Sequence, residues 1–426
     1  MKNQIVRGKC VDMSVDGQGI AKADGLVIFV KGLIKDEEAD IKIIAEKKNY
    51  AYGIIDKLIT PSIHRSNPDC PIAYKCGGCD YRHIDYDYQL ILKKELLINT
   101  LKGFNVLNVI GDDNPFYYRN KIQIPVNNHK FGFYRKNSND IVEFDDCLIE
   151  SEIANKIISD LKKILVDENL DSYIRHILIK HAKATNQIMV CFIVRKMNLN
   201  FDNVVTYLTS EYPDIKSIML NLNDKDTNVI LGTEEKVLYG DSYIIDEFDG
   251  IKVKISLKSF YQVNSGQMLK LYNKVKELSG VDKDTRVLDL YCGIGTISLF
   301  MSRYAKSVTG VEIVEAAVNN AKENAKLNNI NNCDFILADA GKNMDMYLKD
   351  KDLVIVDPPR KGITEELINS FIENRIKKIV YVSCNPATLA RDLDIMKEYY
   401  EIGDIQPVDM FPFTRHCEAV VSLTIK

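Results

Sequence analysis

The sequence predicts an α/β protein in three parts: a small N-terminal β-barrel over residues 1–60, a mixed α/β region over 61–255 and a doubly wound parallel sheet over 256–426. Three observations predict it. Short apolar or alternating runs broken by glycine turns fill the first part. A stretch rich in proline, glycine and cysteine follows, with no periodicity. From about residue 265, strand-like and helix-like segments alternate regularly, the pattern of a parallel sheet with crossover helices.

The elements follow in order. VRGKCVDM, QGIAKA, LVIFVKG, EADIKIIAEK and YAYGIIDKLI read as five short strands, which suits an oligonucleotide-binding type of barrel, although small barrels have other uses. Pro61, Pro68, Pro71, Gly77 and Gly78 exclude regular structure from 61–84. A helix from about Tyr86 to Lys102 carries Leu90, Leu97 and Leu101 along one side. KIQIPVNN, FGFYRK, HILIKHAK, QIMVCFIVRK and SIMLNL read as strands, with helices at Ser151–Val166 and Phe201–Ser210 between them. The C-terminal part runs RVLDLY, ISLFMSRY, SVTGVE, VEAAVNNAKENAKLNN, DFILAD, LVIVD, a helix after Gly362, KKIVYVS, PATLARDLDIMKEYY and two last strands.

A chain of 426 residues exceeds one ordinary core, and 46% apolar with 27% charged residues is the composition of a soluble globular protein. No apolar leader follows the N-terminus, and no run of about 18 apolar residues marks a membrane span. The expected location is the cytoplasm, with no membrane partner and no feature demanding an obligate protein partner. A net charge of −4 does not announce a nucleic-acid binder. Local clusters do mix cations with aromatics: Lys42, Lys47 and Lys48 beside Tyr50, and Arg119, Lys121, Arg135 and Lys136 among Tyr117, Tyr118 and Tyr134. Each reads equally well as an RNA contact or a solvated face.

VLDLYCGIGTISL (287–299) is a buried strand, a glycine turn and a helix start, which puts a ligand at the carboxyl edge of the sheet. Ser298 stands where a dinucleotide site would want a third glycine, and Asp289 suits a sulfonium cation better than a phosphate. Glu312 ends the next strand, where a carboxylate can accept both ribose hydroxyls. Together these favour S-adenosylmethionine over a dinucleotide. Asp339 ends the third strand and either reaches an adenine or caps a helix.

Asp357 ends the fourth strand before two prolines that stiffen the loop. Cys384 ends the fifth, just before a helix opened by Asn385-Pro386, a position expected to favour its thiolate. If the last strand runs antiparallel, Glu418 at its start faces the same pocket. The set has a chemical logic. Carbon 5 of uracil is a poor nucleophile until a thiolate adds to carbon 6, and a base must then remove the carbon-5 proton. Cys384, Glu418 and the Gly293 turn are candidates for thiol, base and donor site.

SFYQVNSGQ (259–267), DLYCGIG (289–295), DPPRKG (357–362), SCNPATLARD (383–392) and the HCE of the final turn resemble, in order, the motifs of the RNA uracil-5-methyltransferases, in the branch that modifies 23S ribosomal RNA. The resemblance covers nearly the whole chain. It implies a class I methyltransferase fold, Cys384 as nucleophile and Glu418 as proton-abstracting base. It implies that Gln262, Tyr291, Glu312 and Asp357 bind S-adenosylmethionine, with Thr296 and Asp339 as further donor contacts, and that Phe260 meets the target nucleotide. On a strand, Phe260 and Gln262 would point the same way. The N-terminal barrel is similar to the RNA-binding TRAM domain. A transfer RNA substrate for the same chemistry, or an inactive iron–sulfur RNA-binding protein, are the alternatives; intact Cys384 and Glu418 speak against the latter.

Ten cysteines in a cytosolic chain do not suggest disulfides. Cys70, Cys76 and Cys79 crowd together, and Cys147 is the plausible fourth thiol. Four thiolates fit zinc or an iron–sulfur cluster. Spacing leans to zinc; the resemblance implies a [4Fe-4S] cluster. His64 and His83 read as loop residues rather than ligands.

Overall fold

The computed structural model describes residues 2–23 and 25–426. Strands β1 (Ile5–Met13), β2 (Gly19–Ala23), β3 (Leu26–Lys31), β4 (Glu38–Glu46) and β5 (Tyr50–Thr60) close a barrel in the order β1-β2-β3-β5-β4. Alternation along each strand sends Cys10, Ala21, Ile28, Val30, Ile41, Ile43 and Ala51 inward. The lumen is narrow: a Cβ on Gly53 would stand 2.3 Å from Ile41, so only glycine fits.

Helix α1 (Tyr86–Thr100) follows the cysteine-bearing loop and packs on the C-terminal part. Its buried side is less apolar than its leucines suggested, because Gln89 and Lys93 are buried with Leu92 and Leu97. Strands β6 (Lys121–Asn127), β7 (Lys130–Tyr134) and β8 (Ile141–Glu143), helix α2 (Glu152–Asp167), strands β9 (Ile174–Ala182) and β10 (Gln187–Val194), helix α3 (Asp202–Glu211), and strands β11 (Ile215–Leu222) and β12 (Glu234–Gly240) come next. Their seven strands form one sheet, β12-β11-β10-β9-β6-β7-β8. β9 and β10 are buried along nearly their whole length because both faces are covered, and β9 carries Arg175, His176 and Lys180 among its apolar residues. Ile177, Ile179, Val190 and Phe192 meet α2 and α3, while Leu178, Met189, Cys191 and Ile193 join the core of the C-terminal part. The hairpin β13 (Tyr243–Phe248) and β14 (Ile251–Ser256) contributes to that shared core.

The C-terminal part is α4 (Ser265–Ser279), β15 (Arg286–Leu290), α5 (Thr296–Ser302), β16 (Ser307–Glu312), α6 (Glu315–Leu327), β17 (Cys333–Leu337), α7 (Asp345–Leu348), β18 (Leu353–Val356), α8 (Glu365–Glu373), β19 (Lys378–Ser383), α9 (Pro386–Met396), β20 (Tyr400–Ile402), β21 (Gln406–Val408) and β22 (Glu418–Ile425). The sheet runs β17-β16-β15-β18-β19-β22-β20, with β21 also on β22. β15 to β19 are mutually parallel. β22 is antiparallel to β19, Ser383 opposite Ala419, which brings Cys384 and Glu418 to the same edge. This is the predicted doubly wound fold. No helix of the described residues is long and apolar enough to cross a membrane.

Candidate active site

The turn after β15 is built on positive backbone angles: Tyr291 (φ 65°), Gly293 (φ 56°) and Gly295 (φ 83°). A Cβ at Gly295 would lie 2.9 Å from the Phe335 ring, whereas one at Gly293 would meet nothing within 4 Å, so Gly293 borders open space. Glu312 is not a plain surface carboxylate. Its Oε2 accepts the Gly293 N–H at 3.1 Å, and its Oε1 accepts the N–H groups of Ile313 and Val314, each at 2.8 Å. Asp289 is fully buried, accepts the Ser298 hydroxyl at 2.5 Å and is pushed up to about 7 by burial. Its Oδ1 has no hydrogen-bond partner.

A small cavity of about 40 Å³ in front of the turn is lined by Phe260, Gln262, Tyr291, Gly293, Thr296 and Asp357. Five of the expected donor or substrate residues therefore meet. Thr296 shares a 2.7 Å hydrogen bond with the Tyr272 hydroxyl. Asp339 stands near enough to Tyr291 for its charge to add to the rise that burial imposes on that phenol, and it also accepts the Gly341 N–H at 3.0 Å. One expectation fails. Residues 259–262 are irregular, not a strand, so period-two alternation does not apply: Phe260 is 69% exposed and Gln262 is 7%.

Side chains that were silent in the sequence hold this segment. Asn120 donates to Gln262 O at 2.8 Å, and the buried Lys180 ammonium donates to Ser256 O at 2.8 Å and Ser259 O at 2.9 Å. Both come from the middle sheet or its approach, too far along the chain for any local pattern to flag them.

A second cavity, about 290 Å³, contains Cys384 with Arg360, Arg415, His416, Lys93 and, from the barrel, Val15. Asn385 caps α9 by accepting the Ala387 N–H at 3.2 Å, and its Nδ2 donates to Arg360 O at 2.8 Å, tying the rigid DPPR loop to the cysteine turn. The electrostatics reverse the expectation of a favoured thiolate. Burial, then the Glu418 and Asp357 charges, push Cys384 up to about 11, with Arg360 opposing. Burial and Asp357 push Glu418 up to about 8, again opposed by Arg360. Burial pushes Asp357 up to about 7. Desolvation and like charge outweigh the helix terminus, so the site holds its protons. Arg360, inside a motif already recognised, is the balancing cation that the sequence reading left unassigned.

The turn leading to Glu418 is clamped from outside. Phe413 O accepts the N–H groups of Asp80 and Tyr81, both at 3.0 Å, and the Phe413 N–H donates to Gln89 Oε1 at 3.0 Å. Lys93 Nζ pairs with Asp409 Oδ1 at 2.5 Å and donates to Phe411 O at 3.1 Å. The Arg82 guanidinium sits 4.0 Å from the Phe413 ring centre.

Cys70, Cys76, Cys79 and Cys147 line one cavity of about 380 Å³ together with Arg82, Arg119 and Glu150. The distant Cys147 thus lines the same cavity as the other three. A single zinc ion, however, needs sulfurs about 2.3 Å from one point. No group of three or more His, Cys, Asp or Glu among the described residues is placed to hold a metal ion, so the thiols are not preorganised around zinc. The four thiols are not preorganised around a cluster either. His64 stacks on Tyr88 at 3.9 Å and serves the loop. Arg119 pairs with Glu150 at 3.0 Å and Lys136 with Asp80 at 2.7 Å, so much of the second basic cluster is internal.

Residues 85–426 match the tRNA (uracil-5-)-methyltransferase family, and residues 12–55 match the TRAM domain. An uncharacterized RNA methyltransferase of Bacillus cereus is 41% identical over 99% of this chain and 97% of its own length. One from Staphylococcus aureus is 38% identical over 100% and 99%. The crystal structure of Pyrococcus abyssi tRNA (uracil-54, C5)-methyltransferase in complex with S-adenosyl-L-homocysteine superposes with a TM-score of 0.82. It is 28% identical and covers 98% of this chain and 99% of that one. By the extent of these matches, the chain belongs to the tRNA (uracil-5-)-methyltransferase family of RNA methyltransferases and carries a TRAM domain at its N-terminus.

Proposed function

We propose that this protein methylates carbon 5 of a uridine in 23S ribosomal RNA, with Cys384 as nucleophile and Glu418 as base. The observation that carries the reading is the grouping of Cys384, Glu418, Asp357 and Arg360 at one sheet edge, next to the cavity at the Gly293 turn. Gln262, Tyr291, Thr296, Glu312, Asp339 and Asp357 bind S-adenosylmethionine, which supplies the methyl group as a sulfonium cation. The open space over Gly293 and the Glu312 carboxylate beside it fit that ligand. Cys384 gives its thiol proton to solvent as its sulfur adds to carbon 6, and the resulting enolate at carbon 5 takes the methyl, breaking the S–CH3 bond and leaving S-adenosylhomocysteine. Glu418 then removes the carbon-5 proton, and the electron pair of that C–H bond expels the thiolate. Arg360 holds negative charge as the thiol ionises, and Phe260, exposed at the cavity mouth, packs on the target base.

The four cysteines hold a [4Fe-4S] cluster in this reading. Support comes from their shared cavity and from Arg82, whose buried Nε and Nη1 have no hydrogen-bond partner there and suit an anionic group. The whole-chain likeness to the Pyrococcus abyssi enzyme, which acts on transfer RNA, favours a second reading with a tRNA target. The likeness of the sequence motifs to the ribosomal branch favours the first. Mass spectrometry of 23S and transfer RNA from cells lacking the gene tests both: loss of 5-methyluridine from 23S RNA alone is expected, loss from tRNA alone selects the second, and unchanged 5-methyluridine in both refutes the activity.

A further inference from the structure

The outer face of the barrel carries a feature that none of the three cavities uses. Phe29 on β3 lies opposite Tyr52 on the parallel β5, and Tyr50 is one step along. The three rings form a triangle, with centroids 5.6 Å (Phe29–Tyr50), 5.9 Å (Phe29–Tyr52) and 5.6 Å (Tyr50–Tyr52) apart. They point away from the barrel core and remain partly exposed, beside Ile54 at 45%. Three adjoining rings on the solvent side of a strand pair stabilise one another but lack a covering layer.

Charge and position say what covers them. Exposed lysines share this side of the barrel: Lys22 on the neighbouring β2, and Lys47 and Lys48 in the turn that enters β5, while Lys31, on the same face of β3, donates to Tyr74 O at 3.3 Å. The loop between β1 and β2 links the platform to the Cys384 cavity. Val15, 67% exposed, lines that cavity. Asp16 lies 3.8 Å from Arg415, another lining residue. A Cβ at Gly17 would stand 3.2 Å from Tyr81 and 3.6 Å from Arg415, so the loop is seated closely on the catalytic turn. Five-stranded barrels of this type bind oligonucleotides on the face of strands 2–3 and through the loops that join strands 1–2 and 4–5. Here Lys22 and Phe29 lie on that face, Tyr50 and Tyr52 extend it onto the adjoining β5, and the Val15 loop and the Lys47–Lys48 turn are the two loops.

We propose that Phe29, Tyr50 and Tyr52 are a stacking platform for unpaired bases of the RNA strand whose uridine enters the Cys384 cavity. The inference rests on the RNA methylation proposed above. Stacking needs flat rings and no particular hydrogen bonds, so the platform accepts any base that is out of a helix. A duplex, whose bases are already stacked, gains nothing from it. The platform therefore selects a uridine in a loop and holds the strand beside it.

The test uses the intact protein and a fluorescent single-stranded RNA of about 12 nucleotides, within the span of such a barrel. The same strand annealed to its complement is the second probe. Fluorescence anisotropy gives the affinities, and S-adenosylmethionine calorimetry and thermal unfolding report whether each variant is folded. Tyr52→Leu, Tyr50→Leu and Phe29→Leu keep apolar bulk but cannot stack. Each is expected to weaken single-strand binding by about fivefold or more, and Tyr52→Phe to recover most of that loss. The wild type is expected to prefer the single strand. Leucine variants that fold and bind it as the wild type does would overturn the platform, as would equal affinity for the duplex; a surface made for a protein partner gives the first result. A wild type that binds neither RNA would remove the underlying methylation reading as well.

Discussion

Replacing Lys93 by methionine would leave the Asp409 carboxylate buried without its cation. Both side chains are fully shielded from solvent, and the 2.5 Å contact joins helix α1 to the segment that leads into Glu418. Lys93 also donates to Phe411 O at 3.1 Å, while Asp409 keeps the Tyr86 hydroxyl at 2.9 Å. Removing one partner of a buried pair costs about 3–5 kcal/mol, chiefly through the stranded charge, and the lost bond to Phe411 adds about 1 kcal/mol. Lys93→Met should therefore lose about 4–6 kcal/mol. Neutralising the partner as well, in Lys93→Met/Asp409→Asn, should restore most of it, since the amide oxygen introduced there would still accept from Tyr86. Urea unfolding followed by circular dichroism measures this on the transition that includes the catalytic sheet. The turn from 411 to 417 should also loosen in the single variant, lowering kcat more than S-adenosylmethionine affinity. A single variant within about 1 kcal/mol of wild type, or a double variant no better than the single, would refute the reasoning.

Glu418→Gln should still form the Cys384 adduct and transfer the methyl group but fail to release product, so methylated RNA should remain covalently bound on a denaturing gel; free product at the wild-type rate contradicts the base assignment. Because Glu418 sits near 8 rather than at its ordinary 4.5, turnover should rise as pH passes through about 8, when the carboxylate becomes available. Stability moves the opposite way: a carboxyl raised by folding holds its proton longer than in the unfolded chain, so its contribution is lost between about 4.5 and 8, and Glu418→Gln should flatten that loss in a pH series of unfolding midpoints. Gly295→Ala meets a φ of 83° and the Phe335 ring at 2.9 Å, and should cost about 1–3 kcal/mol and weaken S-adenosylmethionine binding by calorimetry; an unchanged variant would show that the turn is not under this constraint. Cys147→Ser should lose iron and sulfide in anaerobically purified protein if the four thiols hold a cluster; zinc without iron in the wild type would end the cluster proposal.

Local signals carried the site a long way. Strand–turn–helix units place Glu312, Asp357 and Cys384 at one edge because a parallel sheet puts every strand's carboxyl end on the same side. Asn385-Pro386 opens α9 as its residue types dictate. Other features were out of reach because they depend on contacts between distant residues. Asn120 and Lys180 hold the 256–262 segment from the middle sheet, and nothing in their own neighbourhoods marks them.

By itself the sequence predicted the N-terminal barrel, the doubly wound C-terminal sheet and the glycine turn at its edge, since each follows from local periodicity or backbone restriction. The tertiary structure alone decided that Phe260 is exposed outside any strand and that Lys93 clamps Asp409. It also decided that Cys384 keeps its proton. Burial depth and the charges converging on that sulfur from β18 and β22 set its acidity, and both arise only when the sheet has closed.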